Sequence, residues 1–315
     1  MKISKSTNFN QVEQFLSENF SSPTHWPEWN LIVSKHYSTD FFYLVATNGK
    51  TIQGICPMHC SSSKVLSQLF SGQFMYIPYG GWIIKDNLQI VKKFFPLKIK
   101  HALTTFSLPI IKYFPDYSAK LNNSNFSTLI INLQNDEKWI WENSIDSKRR
   151  NMIRKAMKNQ VLIEEVTTQN YDFFYDFYAE SNFRYGLKSL KKECLSDLFF
   201  STKTIGFLAT FVRHEGRIIS SNVLSHDKNY ALYWLGSNAK KTPNLGQGEL
   251  LQWEAIKNAK RMGCTIYDLC YIEKELLPTI YEFKKGFSKN EVPVVSLSIR
   301  PFTYRIINKI VKCAL

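Results

Sequence analysis

A lysine flanked by two phenylalanines forms the clearest candidate for chemistry in the sequence. Phe283 and Phe287 lie four residues apart on either side of Lys284, in Tyr281-Glu282-Phe283-Lys284-Lys285-Gly286-Phe287. A single lysine is normally a surface residue, but two buried rings would anchor this segment as a loop and fix the ammonium in one place. A fixed ammonium can stabilise the oxyanion that develops when an amine attacks an ester or a thioester. We therefore take Phe283 and Lys284 as the candidate catalytic residues.

A glycine turn upstream could bind the anionic part of a ligand. The segment Asn244-Leu245-Gly246-Gln247-Gly248 joins a predicted strand, 230–236, to a predicted helix, 249–262, which Gly263 would end. The N-terminus of a helix offers free N–H groups and the positive end of the helix dipole, which suit a pyrophosphate. A helix cap without a ligand is the alternative reading of two glycines. We take Asn244, Gly246 and Gly248 as candidate donor-binding or anion-binding residues.

Six cations fall in one predicted helix, 147–158. Arg150, Arg154 and Lys158 recur at four-residue intervals and share a face, and such like charges destabilise a helix unless an anion relieves them. Arg150 and Arg154 are therefore candidate donor-binding residues, whereas a solvated basic face is the ordinary explanation. A non-catalytic nucleic-acid-binding protein that uses this helix is the second functional hypothesis, and it predicts an affinity that falls steeply with salt.

Taken together, these segments resemble a known superfamily. The order of strand, glycine turn, long helix, Gly263 and strand is that of the acyl-CoA-binding motif of the GNAT acyltransferases, Q/R-x-x-G-x-G/A, whose Gln/Arg position holds Pro243 here. Lys148-Arg149-Arg150-Asn151, Trp253-Glu254-Ala255-Ile256 and Phe283-Lys284-x-x-Phe287 resemble the Fem-like branch. This branch includes transferases that add amino acids from aminoacyl-tRNA to peptidoglycan precursors. The resemblance covers residues 139–287 well and the first half weakly.

The resemblance implies a fold, a reaction and further site residues. It implies an α/β (α+β) fold of two tandem GNAT-like domains that face a cleft, with mixed, largely antiparallel sheets flanked by helices. The reaction implied moves an acyl or aminoacyl group to an amine of a cell-envelope or sugar-nucleotide precursor. Acyl-CoA or aminoacyl-tRNA would be the donor substrate, with no tightly bound cofactor. No tRNA-gripping insertion is apparent in the sequence, and tRNA remains one candidate partner. Lys284 would steady the transferred carbonyl, and the acceptor site would include Tyr233, Trp234 and Asp268.

The composition limits the class of protein. The 315 residues are 44% hydrophobic and 15% aromatic, which suits packed cores and not a disordered chain. The net charge of +14 favours an anionic partner. The six cysteines include no CxxC pair and no metal-ligand spacing, so we expect no metal site. No run of 18 apolar residues and no N-terminal apolar stretch occurs, and we expect a cytoplasmic protein.

The remaining patterns predict the elements that position these residues. Asn48-Gly49 predicts a hairpin between two strands, 88–113 reads as mostly helical, and 292–299 reads as the last strand. We expect a first domain at 1–135 and a second at 136–315. Tyr79 lies in a loop whose two glycines permit close approach to a ligand or another strand, and it is a further acceptor-binding candidate.

The C-terminal segment, 302–312, has the pattern of a basic amphipathic helix. Such a helix would rest on an anionic membrane as a peripheral contact, or pack onto the last strand. The sequence leaves both alternatives open.

Overall fold

The protein contains two sheets, each flanked by helices. The computed structural model describes residues 2–62, 67–72, 76–85, 102–106, 126–240, 242–294 and 296–299. The chain divides into two units, Met1–Phe126 with Pro293–Leu315, and Ser127–Val292. The recorded strand pairs are mostly antiparallel, which confirms the predicted fold class. The division differs from the expected boundary at 135, because the strand that begins at Phe126 joins the second sheet and the last described strand returns to the first.

The described residues of the first unit form two α-helices and the first sheet. Its described elements are β1 Lys2–Ser6, α1 Phe9–Glu18, a 3-10 turn Pro23–His25, α2 Pro27–Tyr37, β2 Asp40–Asn48, β3 Thr51–Ser62, β4 Ser67–Ser71, β5 Ile83–Ile84 and β6 Ala102–Phe106. The strand order is β1-β2-β3-β4-β6-β15, with β5 beside β3 and with β4 parallel to β6. Here β15 is the strand Ser296–Ile299.

Two sequence predictions can be compared with the described residues of this unit. The hairpin is confirmed, since Asn48 pairs with Thr51 and Gly49 has a φ of +60° in the two-residue turn. The helical prediction for 88–113 is wrong at 102–106, which form β6 between two strands of the sheet. The rest of that segment and the 302–312 segment lie outside the described residues.

The second unit carries the residues predicted to do chemistry. Its elements are β7 Phe126–Asn132, α3 Glu137–Trp139 running into a π-helical turn Ile140–Ser144, α4 Ser147–Lys158, β8 Ile163–Glu165, α5 Tyr171–Arg184, α6 Lys192–Ser201, β9 Gly206–His214, β10 Arg217–His226, β11 Tyr230–Asn238, α7 Gln247–Arg261, β12 Ile266–Asp268, β13 Ile272–Glu273, α8 Pro278–Lys285 and β14 Glu291–Pro293. The strand order is β13-β7-β12-β11-β10-β9-β8, with β14 beside β7.

Two predictions in this unit need correction. Phe283 and Lys284 lie on a helix, α8, and not on a loop, because Pro278 begins a helical segment that ends at Gly286. The single predicted last strand, 292–299, is two strands, of which β14 pairs with β7 and β15 pairs with β6 in the other sheet.

The central helix of the second unit is α7, and its burial explains its stability. Leu251, Ala255 and Ala259 are buried, whereas Met262 is exposed. Trp253 and Ile256 are buried as well, so apolar contacts extend beyond one stripe. Gly263 follows the helix with a φ of +85°, which confirms the predicted stop.

Candidate active site

Two parallel strands separate at the middle of the second sheet. β11 and β12 pair only at Tyr230–Ile266, Ala231–Tyr267 and Leu232–Asp268. β11 continues to Asn238, while β12 ends at Asp268. β11 also bulges at Trp234, because Leu224 of β10 faces Tyr233 and Val223 faces Leu235. Beyond Leu232, β11 therefore pairs only with β10 within the described sheet. The other side of β11 has no strand partner there, which leaves an opening where β12 ends.

Lys284 lies beside this opening. Its side chain is buried, and its Nζ donates to the carbonyl oxygens of Cys270 at 3.0 Å and Tyr271 at 3.4 Å. The same Nζ lies 6.0 Å from the centre of the Tyr233 ring on β11. Burial lowers the pKa of Lys284, while Cys270 and Asp268 act in the opposite sense. The Lys284 side chain is therefore held in one place, on a helix followed by the fully buried ring of Phe287, and the catalytic roles of Lys284 and Phe283 stay predictions.

A buried carboxylate fixes the backbone that holds Lys284. Asp268 accepts hydrogen bonds from the hydroxyls of Thr128 and Tyr230 and from the backbone N–H of Cys270, the last at 2.7 Å. Cys270 has a φ of +63°, a left-handed conformation that is unfavourable for a non-glycine residue. Because the N–H of Cys270 binds Asp268 and its carbonyl binds Lys284, Asp268 positions the ammonium through the backbone.

Tyr233 and Trp234 pack against different neighbours. Tyr233 contacts the core beneath α7 and α8, and its burial raises the pKa of the phenol to about 12, so the hydroxyl stays protonated at neutral pH. A Cβ atom at Gly236 would lie 2.0 Å from the Tyr233 hydroxyl, so any other residue at position 236 would clash with that hydroxyl. Trp234 packs on Phe207, with ring centres 5.5 Å apart. The two candidate acceptor residues are therefore not on one surface.

The glycine turn adjoins the opening. Gly246 caps α7 with a φ of +80°, and a Cβ there would lie 2.1 Å from the Met152 carbonyl oxygen of α4, so both the conformation and the space require glycine. Gly248 lies in the first turn, and a Cβ there would be 4.0 Å from both the Asn238 amide oxygen and the Phe283 ring. The structure thus brings together the glycine turn, the end of β11 and Phe283.

Arg149 joins α4 to this site, although no sequence pattern assigns it a separate role. Its guanidinium pairs with Glu249 at 2.8 Å, donates to the carbonyl of Glu282 at 3.1 Å and lies 5.0 Å from the centre of the Phe283 ring. One side chain therefore connects α4, the first turn of α7 and α8. No spacing rule relates residues one hundred positions apart, so sequence patterns do not reveal this pair.

Three other cations of α4 make local contacts. Arg150 donates to the carbonyls of Trp141 at 3.2 Å and Glu142 at 3.1 Å. Arg154 donates to Asn151 at 3.0 Å and lies 5.4 Å from the Trp141 ring centre. Lys155 donates to the carbonyl of Asn244 at 2.6 Å, which fastens the glycine turn to α4. Donor binding by Arg150, Arg154 and Asn244 stays a prediction.

The remaining predictions concern Tyr79, metals and membrane spans. Tyr79 lies in the first unit, fully buried, and its assignment to the acceptor also stays a prediction. Among the described residues, no group of His, Cys, Asp and Glu side chains is arranged to hold a metal ion. Within the same residues, no helix combines the length and the apolar character needed to cross a membrane.

Comparison with known proteins places this geometry in context. Residues 147–285 match the family model of the acetyltransferase (GNAT) domain. No curated protein matches the chain by sequence. The crystal structure of FemX is similar over 98% of this chain and 100% of its own, with a TM-score of 0.72 at 12% identity.

Two further solved structures share the architecture. A tandem GNAT protein from the clavulanic acid biosynthesis pathway has a TM-score of 0.52 at 10% identity, covering 95% of this chain and 99% of its own. L-PGS from Bacillus licheniformis has a TM-score of 0.53 at 11% identity, covering 95% and 94%. At these identities the likenesses show the fold, which confirms the tandem GNAT-like arrangement.

Proposed function

We propose that this chain transfers an acyl or aminoacyl group to an amine of a cell-envelope or sugar-nucleotide precursor, because residues 147–285 match the family model of the acetyltransferase (GNAT) domain and the fold is similar to that of FemX. The observation that carries the proposal is the position of Lys284, buried beside the point where β11 and β12 separate. The acceptor class rests on the resemblance of the motifs to the Fem-like branch.

Lys284 fits the needs of direct attack on a carbonyl. The amine must be held about 3 Å from the carbonyl carbon, and the oxygen that becomes negative needs a donor already in place. An ammonium has three N–H donors, and the carbonyls of Cys270 and Tyr271 take two of them. We assign the third N–H to the oxyanion of the tetrahedral intermediate.

The first turn of α7 is the proposed anchor for the donor. Its N–H groups have no partners within the helix, and the helix dipole favours a negative group there. Because Gly248 has no side chain, a phosphate can approach the backbone of this turn between Asn238 and Phe283. Acyl-CoA and aminoacyl-tRNA both present phosphates, so either donor class suits this anchor.

Nucleic-acid binding without catalysis receives less support. That hypothesis needs cations of α4 that are available to phosphates, yet Arg149, Arg150 and Lys155 bind groups of the protein itself. RNA binding that persists in the absence of acyl transfer from any donor would favour it.

The donor can be identified before any acceptor is known. We would record native mass spectra for bound acyl-CoA, then measure thermal shifts with acyl-CoAs, aminoacyl-tRNA and sugar-nucleotide precursors as separate probes. The proposal predicts a clear rise in melting temperature with one donor class, since a ligand that binds only the folded state stabilises it. Gly248→Val should abolish that rise without unfolding the protein. The absence of a shift with every donor class would contradict the proposal.

A further inference from the structure

The turn between α5 and α6 exposes three large apolar side chains. Phe183 is 84% exposed, Tyr185 is 71% exposed and Leu187 is 58% exposed. Isolated exposed apolar residues are common on proteins, but a run of alternate large residues on one short turn is not. We call residues 183–188 the apolar turn.

The apolar turn is a built feature of the fold. Asn182 accepts at its carbonyl from the N–H groups of Tyr185 at 3.0 Å and Leu187 at 2.9 Å, and Gly186 has a φ of +66°. The turn is anchored where it leads into α6, because the buried Leu190 accepts from the Tyr175 hydroxyl at 2.8 Å. These hydrogen bonds fix the backbone of the turn with the three side chains exposed. Binding through these side chains would therefore cost little further conformational entropy of the backbone.

Cations surround the apolar turn. Arg184, Lys188, Lys191 and Lys192 lie between residues 182 and 192, and this stretch contains no Asp or Glu. Lys192 pairs with Asp172 at 2.8 Å. Residues 183–191 therefore carry three cations, Arg184, Lys188 and Lys191, and no acidic residue, which complements an anionic partner.

We propose that the apolar turn docks on an anionic lipid bilayer, with Phe183, Tyr185 and Leu187 in the headgroup region. Aromatic and leucine side chains bordered by lysine and arginine are favourable at a bilayer interface, where the cations meet anionic headgroups. A protein partner suits the turn less well, since lysine is depleted at the centre of protein interfaces.

The apolar turn lies close to the candidate site. Arg184 donates to the carbonyl of Asn238, the last residue of β11, and the Asn238 side chain borders Gly248. Docking would bring the opening beside β11 to the membrane surface.

Vesicle co-sedimentation tests the docking independently of catalysis. The full-length protein would be mixed with vesicles of phosphatidylcholine alone, or of phosphatidylcholine with phosphatidylglycerol, without donor or acceptor. We expect binding to the anionic vesicles that weakens with salt. The triple substitution Phe183→Ser/Tyr185→Ser/Leu187→Ser should reduce the binding by about tenfold or more, because it removes the inserted apolar area. Lys188→Glu/Lys191→Glu should also weaken it.

Leu162→Ser is the matched control. Leu162 is 75% exposed and precedes β8, the strand at the edge of the second sheet. The Leu162→Ser variant should bind vesicles as the unmodified protein does. All variants should keep the melting temperature of the unmodified protein. Absence of binding to anionic vesicles, or equal binding by the triple variant, would overturn the proposal. Equal binding would place the contact elsewhere, for example in 302–312. Neither result bears on acyl transfer, which the donor panel tests separately.

Discussion

At the scale of single residues, the site depends on a lysine held in an unfavourable environment. Burial lowers the pKa of Lys284, and the backbone carbonyls of Cys270 and Tyr271 hold its ammonium. A buried charge without such partners would be strongly destabilising. The arrangement is what electrostatic stabilisation of an oxyanion requires, because the donor is oriented before the reaction begins.

The lowered pKa of Lys284 predicts a pH dependence. The cation is the active form, so the contribution of Lys284 to catalysis should be complete well below its folded-state pKa and be lost as pH rises through it; that pKa lies below the ordinary lysine value of about 10.4. We would measure kcat/KM against pH. Lys284→Arg should lower the rate but lose the alkaline fall, since guanidinium keeps its proton. An identical alkaline fall in that variant would assign the titration to another group.

Gly236 is a second residue at which a small change should matter. Gly236→Ala would place a methyl group 2.0 Å from the Tyr233 hydroxyl and displace that ring beside Lys284. We expect a fall in kcat of about tenfold or more with little loss of stability, because a shift of about 1 Å in a site costs that much. The double variant Gly236→Ala/Tyr233→Phe removes the clashing oxygen. The double variant should therefore recover part of the kcat lost in Gly236→Ala. If its thermal stability and kcat are no higher than those of Gly236→Ala, the steric explanation is wrong.

At the scale of elements, Arg149 connects three helices around the site. Its partly buried pair with Glu249 ties α4 to α7, and its bond to the Glu282 carbonyl ties both to α8. Glu249 lies in the first turn of α7, where the helix dipole favours a carboxylate. The glycine turn and Lys284 are therefore held relative to each other by one cation.

Removing that cation should destabilise the second unit. We expect Arg149→Met to lower the free energy of unfolding by about 3 kcal/mol, because it leaves Glu249 partly buried and unpaired. Urea denaturation measures the change. The exposed neighbour Lys148 provides the control, since Lys148→Met should change stability by about 0.5 kcal/mol or less. Arg149→Met/Glu249→Gln should recover part of the loss, and a merely additive double variant would disprove coupling.

At the scale of the whole molecule, the first unit contains two neutral histidines. Burial lowers the pKa of His25 to about 4 and that of His59 to about 3. His25 bonds to Ser22 at 3.0 Å, and His59 bonds to Asn30 at 2.9 Å. Both pKa values lie below the unfolded value of about 6.5.

These shifts predict sensitivity to mild acid. The stabilisation is full above pH 6.5 and is lost as pH falls toward 4, because only the unfolded chain binds the protons in that range. Each histidine should contribute a slope of about 1.4 kcal/mol per pH unit. Urea unfolding at pH 7.5, 6 and 5 measures it. His59→Gln should be less stable at pH 7.5 but show a shallower dependence; an equally steep dependence would exclude His59 as a source.

Local sequence patterns predict those elements whose bounds depend on neighbouring residues in the chain. Gly49 and Gly263 mark the hairpin and the end of α7, because these turns need a positive φ that glycine adopts easily. The spacing of the aromatic residues identifies Phe283 and Lys284, but it does not predict their helix, because the packing that stabilises α8 comes from distant residues.

Long-range contacts account for what the sequence did not reveal. β6 is a strand because two other strands pair with it, and residues 292–299 divide between two sheets for the same reason. The bonds of Asp268 to Thr128 and Tyr230 join residues far apart in the chain. The separation of β11 from β12 is likewise a matter of register, which no local pattern encodes.

The most direct test of the account is the turnover of Lys284→Met with the donor that the thermal-shift panel identifies. Methionine preserves the volume and removes the charge. The exposed neighbour Lys285 gives the control Lys285→Met. The account predicts that Lys284→Met loses about 100-fold or more in kcat, as removal of an oxyanion donor does, while its melting temperature and donor-induced shift persist. Turnover equal to that of Lys285→Met, in a folded protein that binds donor, would contradict it.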